Sequence, residues 1–331
     1  MIFFSTLPFL KSATEFFFVA SIAALLGLSI FCICFILLIR FKSRSSRHLQ
    51  NFNSLWTVRF LFVVFIACWA LTEVIRLPLF LHVYLHPLFP NLTPPEQTNF
   101  CKLHIVLSLG FFEPGFLVIL LFLLDVSVKR TTPKGFLSVF YVFASCFPLF
   151  LLQVYFVFLD GSVVCFPEII SRSWFRFEID TDLDPDTTVI SCAYPFVSTV
   201  LFGTFGVIFI LSFLLSFWKV VSHVINKALK LRIFALASTI LVCLPLQVLL
   251  MGLSAFWKPD KTAHDGFAMS VFLTTFTCAV VGEGILVIKP IADSLNAICG
   301  GEKQPLPENS GGEISSSAPP PAAAKDATVT V

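Results

Sequence analysis

The chain has 331 residues, of which 57% are hydrophobic and 13% charged, with a formal charge of +2. Soluble domains are about 25% charged, so this composition excludes an ordinary water-soluble globule. Nothing in the charge balance calls for a nucleic-acid partner.

Seven apolar stretches follow one another along the chain: Phe16–Ile39, Leu55–Leu77, Leu103–Leu124, Phe136–Leu159, Phe196–Trp218, Ile233–Phe256 and Phe267–Ile288. Each is about 20 residues or longer, enough helix to cross a hydrocarbon core of about 30 Å. Lipid offers backbone groups no partner, so such stretches must be helices. The expected fold class is an all-α membrane protein, a seven-transmembrane helix bundle. The expected domains are a short extracytosolic N-terminus (1–15), the transmembrane domain (16–288), a juxtamembrane amphipathic helix (289–299) and a disordered cytosolic tail (300–331). The N-terminus has no basic segment ahead of a first span too long for a cleavable signal, so that span reads as a retained signal anchor.

Lysine and arginine set the expected sidedness. Arg40, Lys42, Arg44 and Arg47 follow span one, Lys129, Arg130 and Lys134 follow span three, and Lys219, Lys227, Lys230 and Arg232 lie around the end of span five. The opposite face is sparser in basic residues and richer in acids. The expected topology is N-out and C-in. Lys219, His223 and Lys227, spaced at i, i+4 and i+8, would form a cationic stripe facing anionic lipid or a cytosolic signalling partner.

Taken in chain order, span one offers Ala23 and Gly27 as a small-residue packing face. Span two holds Arg59 near its cytosolic end and the i, i+3 couple Glu73 and Arg76 near its outer end. Asn91-Leu92-Thr93 is a glycosylation sequon, followed directly by Pro94. Cys101 precedes span three, and Cys165 and Cys192 lie in the long fourth loop. All three are in the oxidising compartment, where one pair can close and any of the pairings is open. In span three Glu113 precedes Pro114 at mid-membrane, and Asp125 ends the span at the depth of Arg59, its expected structural partner. Ionisable groups cost several kcal/mol in lipid, which makes Glu113 and, in span seven, Glu283 the candidate intramembrane polar site. The segments Glu113–Ile119 and Glu283–Ile288 echo each other faintly. His82, His86, His104 and His264 read as scattered interfacial histidines. Asp180, Asp182, Asp184 and Asp186 alternate but lack the glycine and glutamate of a calcium loop. Cys299 ends the segment in which Ile291, Leu295 and Ile298 recur at helical spacing, and is a candidate for S-acylation.

These features resemble heptahelical, G-protein-coupled-receptor-like proteins. The resemblance covers the topology of the whole spanning region. It extends to the cysteine at the head of span three with cysteines in the second outer loop, to Cys243-Leu244-Pro245 in span six, and to the juxtamembrane segment ending at Cys299. Span three ends Asp125-Val126-Ser127 rather than Asp-Arg-Tyr, and span seven reads Val287-Ile288-Lys289-Pro290 rather than Asn-Pro-x-x-Tyr, so the likeness is to divergent orphan candidate receptors such as those described in plants. It implies a disulfide from Cys101 to Cys192 or Cys165. It also implies a receptor-like or signalling-scaffold function with a partner at the basic inner loops, in the plasma membrane or an endomembrane. The alternative is a small-solute transporter of a seven-span type. No enzyme activity, cofactor or metal is expected, because an intramembrane zinc hydrolase needs a histidine cluster that the spans lack.

Overall fold

The computed structural model describes residues 8–43, 56–76, 94–129, 135–158, 178–180, 189–191, 194–224, 227–256 and 261–293. Its helices are α1 (Pro8–Ser43), α2 (Trp56–Arg76), α3 (α-helical over Pro94–Leu107, π-helical over Ser108–Phe112, α-helical again over Glu113–Lys129), α4 (Gly135–Phe158), α5 (Phe196–His223), α6 (Lys227–Phe256) and α7 (Lys261–Glu283, then a π-turn over Gly284–Ile288). All seven hold a stretch long and apolar enough to cross a membrane. Between α4 and α5 a small antiparallel pair joins β1 (Glu178–Asp180) to β2 (Val189–Ser191), with Ile179 opposite Ile190. This is a multi-pass membrane protein with a seven-helix fold.

The bundle is built around α3. Of its spanning window 72% is buried inside the protein, against 22% for α4 and for α5. It packs on α2, α4 and α5, while α1 packs on α2 and α6 on both α5 and α7. Lipid tails are as apolar as leucine, so these contacts are held by close packing rather than by a hydrophobic drive. Glycine permits the closest approaches: a Cβ at Gly115 of α3 would stand 2.0 Å from the Phe65 ring of α2, and one at Gly282 of α7 would stand 3.0 Å from Phe62. Phe65 is wedged against Phe111, Phe112 and Phe143 at centroid distances of 5.3, 5.9 and 5.9 Å. Along α5 the rings of Phe202, Phe205, Phe209, Phe213 and Phe217 run as a ladder that ends on Phe234 of α6. Many of the chain's 41 phenylalanines are therefore packed inside the bundle rather than facing lipid.

Three expectations change. Ala23 and Gly27 are exposed, and nothing stands within 4 Å of a Cβ at Gly27. The inward face of α1 is instead Ile22, Leu25, Ser29, Cys32 and Ile36. The stripe through Lys219, His223 and Lys227 is interrupted, because α5 ends at Val224 with extended backbone (ψ 114°) and Lys227 opens the next helix. Residues 289–293 continue the helix of span seven without a break. The remainder of the expected juxtamembrane segment with Cys299, the tail, Asn91, Cys165 and Cys192 lie outside the described residues. At the basic end, the Arg40 guanidinium sits 3.4 Å above the Trp56 ring, a cation–π contact tying α1 to α2.

Candidate functional site

The site begins with Pro114. Proline has no N–H, so a helix that runs through it leaves a carbonyl one turn back without its donor. Here the chain widens into the π-turn Ser108–Phe112, whose end is marked by the Glu113 N–H donating to the Ser108 carbonyl. Such π adjustments re-pair the backbone inside membranes. The widening also brings side chains together. An α-helix sets residues five apart at about 140°, yet the Ser108 hydroxyl donates to Glu113 Oε1 at 2.9 Å.

Two neighbouring helices complete the arrangement. Trp69 Nε1 of α2 donates to Glu113 Oε1 at 3.2 Å, and Gln247 Nε2 of α6 donates to Oε2 at 2.6 Å. The carboxyl group is 3% exposed, and its hydrogen-bond partners among the described residues are these three neutral groups. The Trp69 indole is itself fixed, stacked on Phe272 of α7 at 5.9 Å and 16°. A single carboxyl thus joins α2, α3 and α6, with α7 as backing.

The network extends toward the Cys101 end. Thr72 donates to the Trp69 carbonyl at 2.7 Å, His104 Nδ1 lies 2.9 Å from the Thr72 carbonyl, and His104 Nε2 lies 3.8 Å from Glu73 Oε1. His104 is wholly buried and Glu73 is 4% exposed. His104, read from the sequence as one of several scattered histidines, is carried by the inward face of α3 into the bundle. The Arg76 side chain lies outside the described residues, so the expected Glu73–Arg76 couple does not enter this geometry.

Glu283 stands apart, at the seam of α1 and α7. It precedes the π-turn Gly284–Ile288 and is fully buried. Ser29 donates to its Oε2 at 3.5 Å, the Cys32 thiol faces it, and Oε1 has no hydrogen-bond partner among the described residues. The echo between spans three and seven acquires a structural counterpart, in that both carboxyls adjoin a π-turn. The π-turn precedes Glu113 but follows Glu283, so the two are not superimposable repeats. Arg59 and Asp125 sit on the packed helices α2 and α3, and each has an interaction partner.

Trp69, Ser108, Gln247 and His104 were not singled out as site residues by the sequence. The available signals were the four-residue spacing of His104 and Ser108, and a glutamine two residues after Pro245. Among the described residues no cluster of three or more histidine, cysteine or acidic side chains could hold a metal ion.

Cys101 is disulfide-bonded, to a partner outside the described residues. Strand β2 packs on the segment of α3 that carries Cys101 and ends at Ser191, one residue before Cys192. Cysteines bridge only when their Cα atoms are within about 7 Å. Peptide mapping without reduction is expected to recover a Cys101–Cys192 cross-link; a Cys101–Cys165 peptide would overturn that assignment.

No curated protein matches the sequence. One family model does, over residues 7–302, which is most of the chain and all of the helices just described. The chain belongs to the family described as Uncharacterised conserved protein UCP031277.

Proposed function

We propose that this is a receptor-like membrane protein whose buried Glu113 acts as a latch between α3 and α6. The observation that carries this reading is the 2.6 Å bond from Gln247 to Glu113, two residues from Pro245 inside α6. A proline lacks the backbone bond that would stiffen the helix there. Releasing one buried side-chain bond can therefore swing the Lys227 end of α6, and packed helices move between discrete arrangements rather than continuously. The moving end carries Lys227, Lys230 and Arg232, a basic surface for a cytosolic signalling partner or anionic lipid. This requires the N-out, C-in orientation, for which a tag on Val331 should be reachable only after permeabilisation. The compartment is proposed to be the plasma membrane or an endomembrane.

The test is a pair of distance-reporting labels on the Lys129 end of α3 and the Lys227 end of α6. Gln247→Leu should lengthen or broaden their separation. An unchanged distribution in that variant would remove the latch. Small-solute transport is the second reading, supported by carboxyls at two depths, each beside an interrupted helix. Solute uptake into vesicles that is lost in both Glu113→Gln and Glu283→Gln would favour it.

A further inference from the structure

We propose that Glu283 and Ser29 form a binding site for a monovalent cation of sodium's size, which ties α1 to α7. The site is separate from the Glu113 latch and does not depend on it.

The groups that meet the buried Glu283 carboxyl are donors. Ser29 turns its hydroxyl to Oε2, and the Cys32 thiol, one turn further along α1, donates a weak bond to the same carboxyl. Donors suit the ionised form. A protonated carboxyl would need an acceptor for its own O–H, and the geometry offers none. Oε1 has no hydrogen-bond partner among the described residues. The Ser29 oxygen stands 3.5 Å from Oε2, whereas O–H···O bonds run about 2.5–3.0 Å. Ser29 is itself fully buried and aimed. A serine or threonine inside a helix ordinarily turns its hydroxyl back onto its own backbone, as Thr204, Ser212, Ser270 and Thr277 do here. The Ser29 hydroxyl turns across to α7 instead.

A negative charge is thus sealed between two helices, and its partners among the described residues include no cation. Arg59 lies one turn from the Phe62 ring that packs close to Gly282, but has a partner of its own. Lys289, six residues beyond Glu283, is exposed. An uncompensated charge in this position is costly, and a small cation bound at Oε1 removes the cost. The seam has room for one. Helix α1 packs chiefly on α2 and more sparsely on α7, which it also meets at Phe18 and Phe272, 4.8 Å apart.

Spacing and charge narrow the class of ion. Around an ion with metal–oxygen bonds of about 2.3–2.6 Å, ligand oxygens at right angles stand about 3.3–3.7 Å apart. The 3.5 Å between Ser29 Oγ and Glu283 Oε2 falls inside that range. Magnesium, with bonds of about 2.0–2.1 Å, would need about 2.8–3.0 Å. Calcium has the right size, but a single carboxylate balances a single charge. Sodium, of nearly the same radius, leaves no net charge in the lipid. Water fills the remaining positions of its shell.

The experiment uses the full chain in lipid nanodiscs, with sodium chloride replacing choline chloride at constant ionic strength. The protein should retain one radioactive sodium ion per chain and melt at a higher temperature as sodium rises, because an ion bound only by the folded state stabilises it. Potassium chloride should raise the melting temperature less. Glu283→Gln removes the charge with little change of shape, and should lose both the retained sodium and the shift. Glu113→Gln, at the other buried carboxyl, should keep both. Ser29→Ala leaves the carboxylate in place and should weaken sodium binding several-fold, a readout that survives if Glu283→Gln does not fold. Wild-type protein that retains no sodium would overturn the proposal. So would sodium binding unmoved by Ser29→Ala or by Glu283→Gln, or potassium acting as strongly as sodium. A melting temperature indifferent to sodium but rising as the pH falls would put a proton in the ion's place and overturn it too. None of these outcomes alters the Gln247→Leu label test, so the ion site and the latch stand or fall separately.

Discussion

Glu113→Leu is expected to strip the protein of much of its folded yield. The substitution leaves the Trp69 N–H, the Ser108 hydroxyl and the Gln247 amide without their acceptor in a fully buried site. An unsatisfied buried donor costs roughly 1–3 kcal/mol. Allowing for the hydroxyl turning to another acceptor, the loss should still reach several kcal/mol, a large part of a normal folding free energy of about 5–15 kcal/mol. Glu113→Gln should be far milder, within about 1 kcal/mol. The new amide keeps an oxygen for Trp69 and Ser108, and Gln247 can turn its own amide over to present an oxygen to the new N–H₂. Thermal unfolding in detergent, followed by size-exclusion chromatography, checks both. A leucine variant as stable as wild type would show that the hub holds nothing together. The contrast also separates the hydrogen bonding of Glu113 from its ionisation, since the glutamine variant retains the fold while removing the ionisable group.

Gly115→Val is expected to be comparably damaging for a steric reason. The first added carbon would lie 2.0 and 2.3 Å from two carbons of the Phe65 ring, below the 3.0 Å that real Cβ contacts respect. The ring cannot step aside, because Phe111, Phe112 and Phe143 surround it. Overpacking a tight core usually costs about 1–3 kcal/mol, and valine here should lie at or beyond the upper end. Phe65→Ala should rescue part of the loss in the double variant, at the expense of a cavity. Gly27→Ala is the control: it meets open space and should leave the melting temperature unchanged. If Gly115→Val melts with wild type, the packing of α2 on α3 is not as described.

The helical architecture was legible in the sequence because lipid leaves a long apolar stretch a single backbone solution. Span ends were less so. The expected sixth span began at Ile233, whereas α6 begins at Lys227, because the basic residues ahead of the apolar stretch continue the helix. The candidate site was legible at its centre and not at its rim. Glu113 announces itself, since a carboxyl deep in an apolar stretch needs an explanation. Its partners come from residues 44 positions earlier and 134 later. Trp69, Ser108 and Gln247 carry no charge to mark them, His104 was read only by its place near the head of span three, and all four pair through a packing that periodicity does not encode. Ala23 and Gly27 failed for a related reason: a small-residue pattern says that two helices could approach closely, not that they do.

The widened turns in α3 and α7 bear on how this sequence should be aligned with its relatives. A π-turn of this kind is an α-helix holding one additional residue, and one residue is about 100° of rotation. Counting helical positions from Cys101 through Ser108–Phe112 as though the helix were regular would assign every residue from Glu113 to Lys129 to the wrong face. The same holds past Gly284–Ile288. Relatives that lack Pro114 need not keep the turn, so an honest alignment should place a one-residue gap between Ser108 and Phe112 rather than force gap-free columns across the membrane. A gap recurring at that point would mark the π-turn as a one-residue difference in length between relatives that keep it and relatives whose helix runs straight.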